Sequence, residues 1–137
     1  MSQLSKNFTL NDMTFSLTAV NKKIDNTPSP EIVDNIKKLV INTLQPIRDL
    51  YEKPVFISSG YRCPALNVAV GGAKTSQHLE GKAADISTES LELNKKLFNL
   101  IRDSKIPFDQ LLDEYNFKWI HISYNEGNNR RQVLHIN

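Results

Sequence analysis

His78 and Asp85 stand with six residues between them in Ser76-Gln77-His78-Leu79-Glu80-Gly81-Lys82-Ala83-Ala84-Asp85, and His121 follows in Trp119-Ile120-His121-Ile122-Ser123. Two imidazoles and one carboxylate are a donor set that suits a catalytic zinc, which keeps a fourth position open for water. With Arg62 in a loop upstream, the set points to a hydrolase.

The spacing lets these groups meet. Ala83 to Ser87 reads as a short strand, so Ala83 and Asp85 share one face while Ala84 and Ile86 take the other. Small Ala83 leaves room for an ion beside Asp85. His78 sits in the loop before that strand, where Gly81 supplies the backbone freedom to fold His78 back towards Asp85. His121 sits mid-strand with Trp119 and Ser123 on its own face. Each residue alone has an ordinary explanation: a strand histidine satisfied in place, an aspartate capping a turn. Their conjunction favours a metal site. His135, near the terminus, lies outside the pattern and is expected to be dispensable for it. Four of the five glycines (Gly60, Gly71, Gly72 and Gly81) fall in the same stretch, which marks it as a place of unusual backbone angles or close approach.

The remaining elements frame the site. Thr9 reads as an N-cap, with Phe8 and Met13 stapling the first turn of a short helix. Ser29-Pro30-Glu31 starts another, with proline at the first helical position and an acid near the positive end of the dipole. Its apolar positions Ile32, Val33, Ile36, Leu39, Val40, Leu44 and Ile47 keep helical period. Pro46 is expected to kink or split it. Pro54 to Ile57 reads as the first strand. Ser90 to Asp103 is a helix with Leu93, Leu97, Leu100 and Ile101 inward. Phe108–Asp113 and Lys118–Tyr124 read as an antiparallel pair, with Gln132–Ile136 a last strand. This pattern predicts an α+β domain, a small antiparallel sheet with helices packed on it.

The 137 residues suit one domain spanning 1–137, large enough for a core without disulfides. A formal charge of +2 and a pI near 8.7 are too mild to indicate nucleic acid, and do not oppose an anionic cell wall. Cys63 is the only cysteine, which excludes a disulfide framework and a cysteine-based metal site. A nucleophilic role for it lacks a neighbouring base. The first residues lack an apolar signal-peptide core, and no stretch reaches membrane-spanning length. The expectation is synthesis in the cytoplasm, no membrane insertion and a monomer.

Ser76-x-His78-x-x-Gly81-x-Ala83-x-Asp85 resembles the S-x-H-x-x-G-x-A-x-D signature of the zinc D-alanyl-D-alanine peptidases, whose superfamily includes lysostaphin-type enzymes and the hedgehog signalling domain. Ser58-Ser59-Gly60-Tyr61-Arg62-Cys63-Pro64 is similar to the family's S-G-Y-R-S-P loop, and Trp119-Ile120-His121 to the segment with its last metal histidine. The likeness runs from about Phe8 to about Tyr124 and is nearest to the compact single-domain members found in bacteriophages and their hosts.

The resemblance implies a hedgehog/D-Ala-D-Ala peptidase-like fold, a zinc held by His78, Asp85 and His121, and hydrolysis of an amide bond at D-alanine in peptidoglycan peptides. Arg62 would bond the substrate's carbonyl or carboxylate, a role its planar fork suits better than lysine. Ser76 would orient substrate or a supporting group, or simply cap the loop. A general base would take the water's proton and pass it to the leaving amine. Here the chain departs from the better-known members: Lys118 stands where they carry an acid, and Trp119 where many carry a histidine. The compact branch places an acid on the strand before the last histidine, and a tight hairpin through Tyr115-Asn116-Phe117-Lys118 would bring that acid near His121. Glu114 is the first choice, with Asp113 and Asp109 behind it, since strand parity depends on a loop length the sequence does not fix. Two other functions stay open: an L-alanyl-D-glutamate endopeptidase, and a non-catalytic zinc-stabilised wall-binding or virion protein. A wall substrate implies release by a holin or delivery on a virion.

Overall fold

The computed structural model describes residues 2–136. Its centre is a five-stranded sheet of β1 (Phe56–Ser59), β2 (Ala83–Ser87), β3 (Gln110–Glu114), β4 (Trp119–Ser123) and β5 (Gln132–Ile136), in the order β1-β2-β4-β3-β5. Three pairings are antiparallel, but β5 runs parallel to β3. The sheet is therefore mixed rather than wholly antiparallel. The reason is local: the segment after β4 returns along the sheet before β5 begins, so β5 starts beside the start of β3, with Gln132 opposite Gln110. The α+β class holds.

Six α-helices accompany the sheet: α1 (Leu10–Thr14), α2 (Leu17–Lys22), α3 (Pro30–Leu39), α4 (Gln45–Tyr51), α5 (Pro64–Ala69) and α6 (Leu91–Arg102). Caps define their starts. Thr9 and Asp12 form a reciprocal capping box on α1, flanked by buried Phe8 and Met13. Ser29 caps α3 with Pro30 in its first turn, and Ser90 caps α6. The short helices α2 and α5 form in stretches to which the sequence pattern assigns no helix. Each is only 6 residues long, too short to display a period.

The helix from Pro30 does split near Pro46. Between α3 and α4 runs a π-helical stretch, Val40–Leu44, in which the Gln45 N–H reaches back to the Val40 carbonyl. Proline has no N–H to give and its ring crowds the carbonyl four residues earlier, so one widened turn lets the helix continue past it.

Strand alternation divides the sheet into two chemically different faces. Ala84, Ile86, Ile120, Ile122 and Leu111 pack with Ile36, Leu39, Val40, Leu44, Ile47, Leu97, Phe98 and Ile101 in one core. On α6, Leu97 and Ile101 are inward as expected, joined by Phe98, while Leu93 and Leu100 are only partly covered. The alternate residues Asp85, His121, Trp119 and Glu114 belong to the other face.

One buried polar residue ties helix to hairpin. Asn94, 2% exposed on α6, accepts from Thr88 through Oδ1 and donates from Nδ2 to the carbonyls of Phe117 and Lys118. Those carbonyls belong to the β3–β4 turn, where Tyr115, Asn116 and Phe117 all have positive φ. Three successive left-handed residues are costly, and Asn94 holds the turn from beneath.

Candidate metal centre and active site

His78 lies in a short 3₁₀ turn, Gln77–Glu80, that precedes β2. Ser76 caps the turn, its Oγ accepting from the His78 N–H at 3.2 Å. Gly81 ends it with φ of 72°, the left-handed angle that lets the chain double back into β2. The His78 ring is 2% exposed, and its Nδ1 lies 2.7 Å from the Gly60 carbonyl. That contact makes Nδ1 the protonated nitrogen and leaves Nε2 as the donor atom.

Nε2 faces Asp85: it is 3.3 Å from Asp85 Oδ1, and His121 Nδ1 is 3.2 Å from the same oxygen. Asp85 and His121 are directly paired residues of β2 and β4. One donor atom from each of the three residues lies within 4.8 Å of the others. Burial pushes the Asp85 carboxyl up, but the close contacts with His121 and His78 outweigh it and hold the group well below the ordinary carboxylate range. Two imidazole nitrogens and an ionised carboxylate oxygen, converging on one point with one ring anchored from behind, fit a zinc ion.

Arg62 stands beside this cluster. Its main-chain N–H donates to the His78 carbonyl at 3.0 Å, so the arginine loop and the histidine turn are joined. Its Nη2 is 3.5 Å from Ser76 Oγ, and its Nε is buried with no hydrogen-bond partner among the described residues. Burial lowers the guanidinium pKa, while the charges of Asp85 and Glu114 raise it again. Arg62 and Asp85 also line a cleft of about 690 Å³, together with Tyr61, Phe56, Leu66 and residues of α1.

Of the three acids considered as a base, the sheet brings only Glu114 to the metal side. Glu114 pairs with Trp119, two residues before His121, so its side chain shares the His121 face. Asp113 pairs with Ile120 and belongs to the opposite face, where its carboxylate meets His135. Asp109 is 1% exposed, and Arg130 and Gln77 occupy both its oxygens. Asp113 thus faces away from the metal cluster, and Asp109 is engaged by Arg130 and Gln77. His135 is not part of the metal cluster, and its pairing with Asp113 links β5 to β3.

Sequence reasoning passed over three supports of the site. Gly60 anchors His78, the Asp109–Arg130 pair steadies Gln77, and Asn94 braces the hairpin that carries Glu114. The short motif Gly60-Tyr61-Arg62 held a signal for the first. The other two join residues far apart in the chain and left none.

An imidazole–imidazole–carboxylate set with an arginine and a second carboxylate nearby has the equipment of a metal-dependent hydrolase. The Peptidase M15 family matches residues 6–123, a span containing every one of these side chains, and the chain belongs to that family. It is thereby a zinc-dependent metallopeptidase, a family whose members act on cell-wall peptides. No curated protein matches the chain. Among the described residues no helix is long and apolar enough to cross a membrane.

Proposed function

We propose that residues 1–137 work as one zinc peptidase domain, a monomer that hydrolyses an amide bond at D-alanine in peptidoglycan peptides. His78, Asp85 and His121 hold the ion. The observation that carries the reading is the gathering of this cluster with Glu114 on one sheet face, beside Arg62, where Arg62 and Asp85 line a cleft.

Zinc, when bound, supplies Lewis acidity, which makes water a better nucleophile near neutral pH and polarises a carbonyl. The remaining work falls to side chains. Glu114 takes the proton of the attacking water and returns it to the departing amine. Arg62 bonds the oxygen that gains charge, or the substrate's terminal carboxylate; its unpartnered buried Nε favours an anionic ligand. Ser76, bonded to the His78 main chain, keeps Arg62 and the histidine turn in register. The wall peptide lies along the cleft that Arg62 and Asp85 line. Access to the wall comes through a holin or a virion.

The test is mass spectrometry of muropeptides after purified peptidoglycan is incubated with zinc-loaded protein. Loss of a D-alanine residue supports the reading. Cleavage between L-alanine and D-glutamate makes the protein an endopeptidase of the same chemistry. Unchanged muropeptides make it a zinc-stabilised wall-binding protein. Glu114→Gln keeps shape and loses basicity, so it should abolish turnover while zinc content and melting temperature persist.

A further inference from the structure

Trp119 occupies the position two residues before His121, and Lys118 the next. Neither can act as a base, so the acid must come from another strand and needs something to aim it. The β3–β4 register sets Glu114 directly opposite Trp119, and the indole Nε1–H donates to Glu114 Oε2. Trp119 is on the same strand and face as His121. The Tyr115 ring lies 5.0 Å from the indole at 53° and packs beside it.

We propose that Trp119 is a positioning residue: its indole N–H fixes the Glu114 carboxylate, leaving Oε1 to accept the proton of the attacking water. The inference rests on the reading of Glu114 as the base. An indole suits the task because it donates only. It cannot take a proton from Glu114, and it carries no charge that would compete with the cluster of His78, Asp85 and His121. Its bond to a carboxylate is of the charge-assisted kind, stronger than one between neutral groups. One strand thereby carries both a metal ligand and the group that orients the base. Asn94 fixes the intervening turn from the helix side.

The chain has a single tryptophan, so a 15N–1H spectrum of labelled protein contains one indole peak. That peak should lie downfield of free indole, exchange slowly, and move upfield in Glu114→Gln. Trp119→Phe keeps the ring and removes the donor. It should lower kcat on a wall peptide about ten- to a hundredfold with little change in KM, at full zinc occupancy and near-native melting temperature. Trp119→His restores a donor with a smaller ring and should recover part of kcat; a purely packing role predicts that Phe outperforms His. An indole peak unmoved by Glu114→Gln, or a Trp119→Phe enzyme with wild-type kcat, overturns this proposal alone. Wild-type turnover by Glu114→Gln overturns the reading of the base, and this proposal with it.

Discussion

His78 Nδ1 donates to the carbonyl of Gly60 across 2.7 Å, and this bond decides which imidazole nitrogen remains for a metal. The same glycine packs against the end of α1 with no room for a side chain: a Cβ at position 60 would lie 2.3 Å from the Met13 carbonyl oxygen. That oxygen already accepts from the Tyr61 N–H at 2.7 Å. Helix α1, the arginine loop and the histidine turn thus meet at one residue. Gly60→Ala should force α1 away, cost about 1–3 kcal/mol of stability, and turn the His78 ring. A zinc titration should show affinity falling on the order of ten- to a hundredfold, as when a bond that orients a metal ligand is lost. Unchanged affinity would mean that Gly60 serves packing only.

The cluster itself sets the second expectation. Protein purified without chelator should carry close to one zinc per chain, and His78→Ala or His121→Ala should lose it. His135→Ala should retain it, since that ring pairs with Asp113 on the opposite face of the sheet. Added zinc should raise the melting temperature of chelator-treated wild type, because a ligand at about a hundred times its Kd stabilises by about 2.7 kcal/mol. The His78→Ala protein should show no such rise.

Asn94 offers a test of how far the hairpin governs the base. It supplies two hydrogen bonds to the turn after Glu114 from a fully buried position. Asn94→Leu fills the space but strands the Phe117 and Lys118 carbonyls, at a cost of about 1–3 kcal/mol. Turnover should drop further than zinc content does, since Glu114 directly precedes this turn while the ligands sit on β2, the middle of β4 and the 3₁₀ turn. Equal losses in both would show the hairpin to be merely part of the fold.

Much of this was legible in the sequence, for identifiable reasons. The ligand set is written into one ten-residue motif and one strand, and the alternation of Ala83, Asp85, Trp119 and His121 reads directly as a face. The cap at Thr9 and the helix starts at Ser29 and Ser90 are local chemistry and fell where expected. The choice among Glu114, Asp113 and Asp109 was not legible, because it depends on where the β3–β4 turn starts. The tight turn expected through Tyr115, Asn116, Phe117 and Lys118 is present, but no glycine or proline there announces three successive left-handed residues, so its conformation was not readable. The parallel pairing of β5 was hidden for a similar reason: nothing in residues 124–131 specifies the direction of return.

Arg62 is the residue whose charge the chemistry should feel most directly. Its guanidinium is partly desolvated beside Asp85 and Glu114, and its Nε has no protein partner among the described residues. Arg62→Lys keeps the charge and loses the planar fork. Turnover should fall on the order of a hundredfold or more, with fold and zinc content intact. Rates measured at matched zinc occupancy decide the matter, and equal rates would reduce Arg62 to a structural role.

Acid stability should report on the Asp109 clamp. Hydrogen bonds from the Arg130 guanidinium, then from its main-chain N–H and from Gln77, overcome the effect of burial and bring the Asp109 carboxyl from 3.8 down to about 2. The unfolded chain therefore binds a proton at a higher pH than the folded one. The clamp's contribution is complete above pH of about 4 and disappears as pH falls towards about 2. Its size is about 1–2 kcal/mol, since half-exposed Arg130 is partly screened by solvent. Asp109→Asn cannot gain stability by ionising. Denaturant unfolding of chelator-treated protein should show the variant less stable than wild type at pH 6, the gap closing on acidification through that window. A gap that stays constant down to pH 2 would mean that packing of the side chain, and not its charge, holds Gln77 and the turn bearing His78.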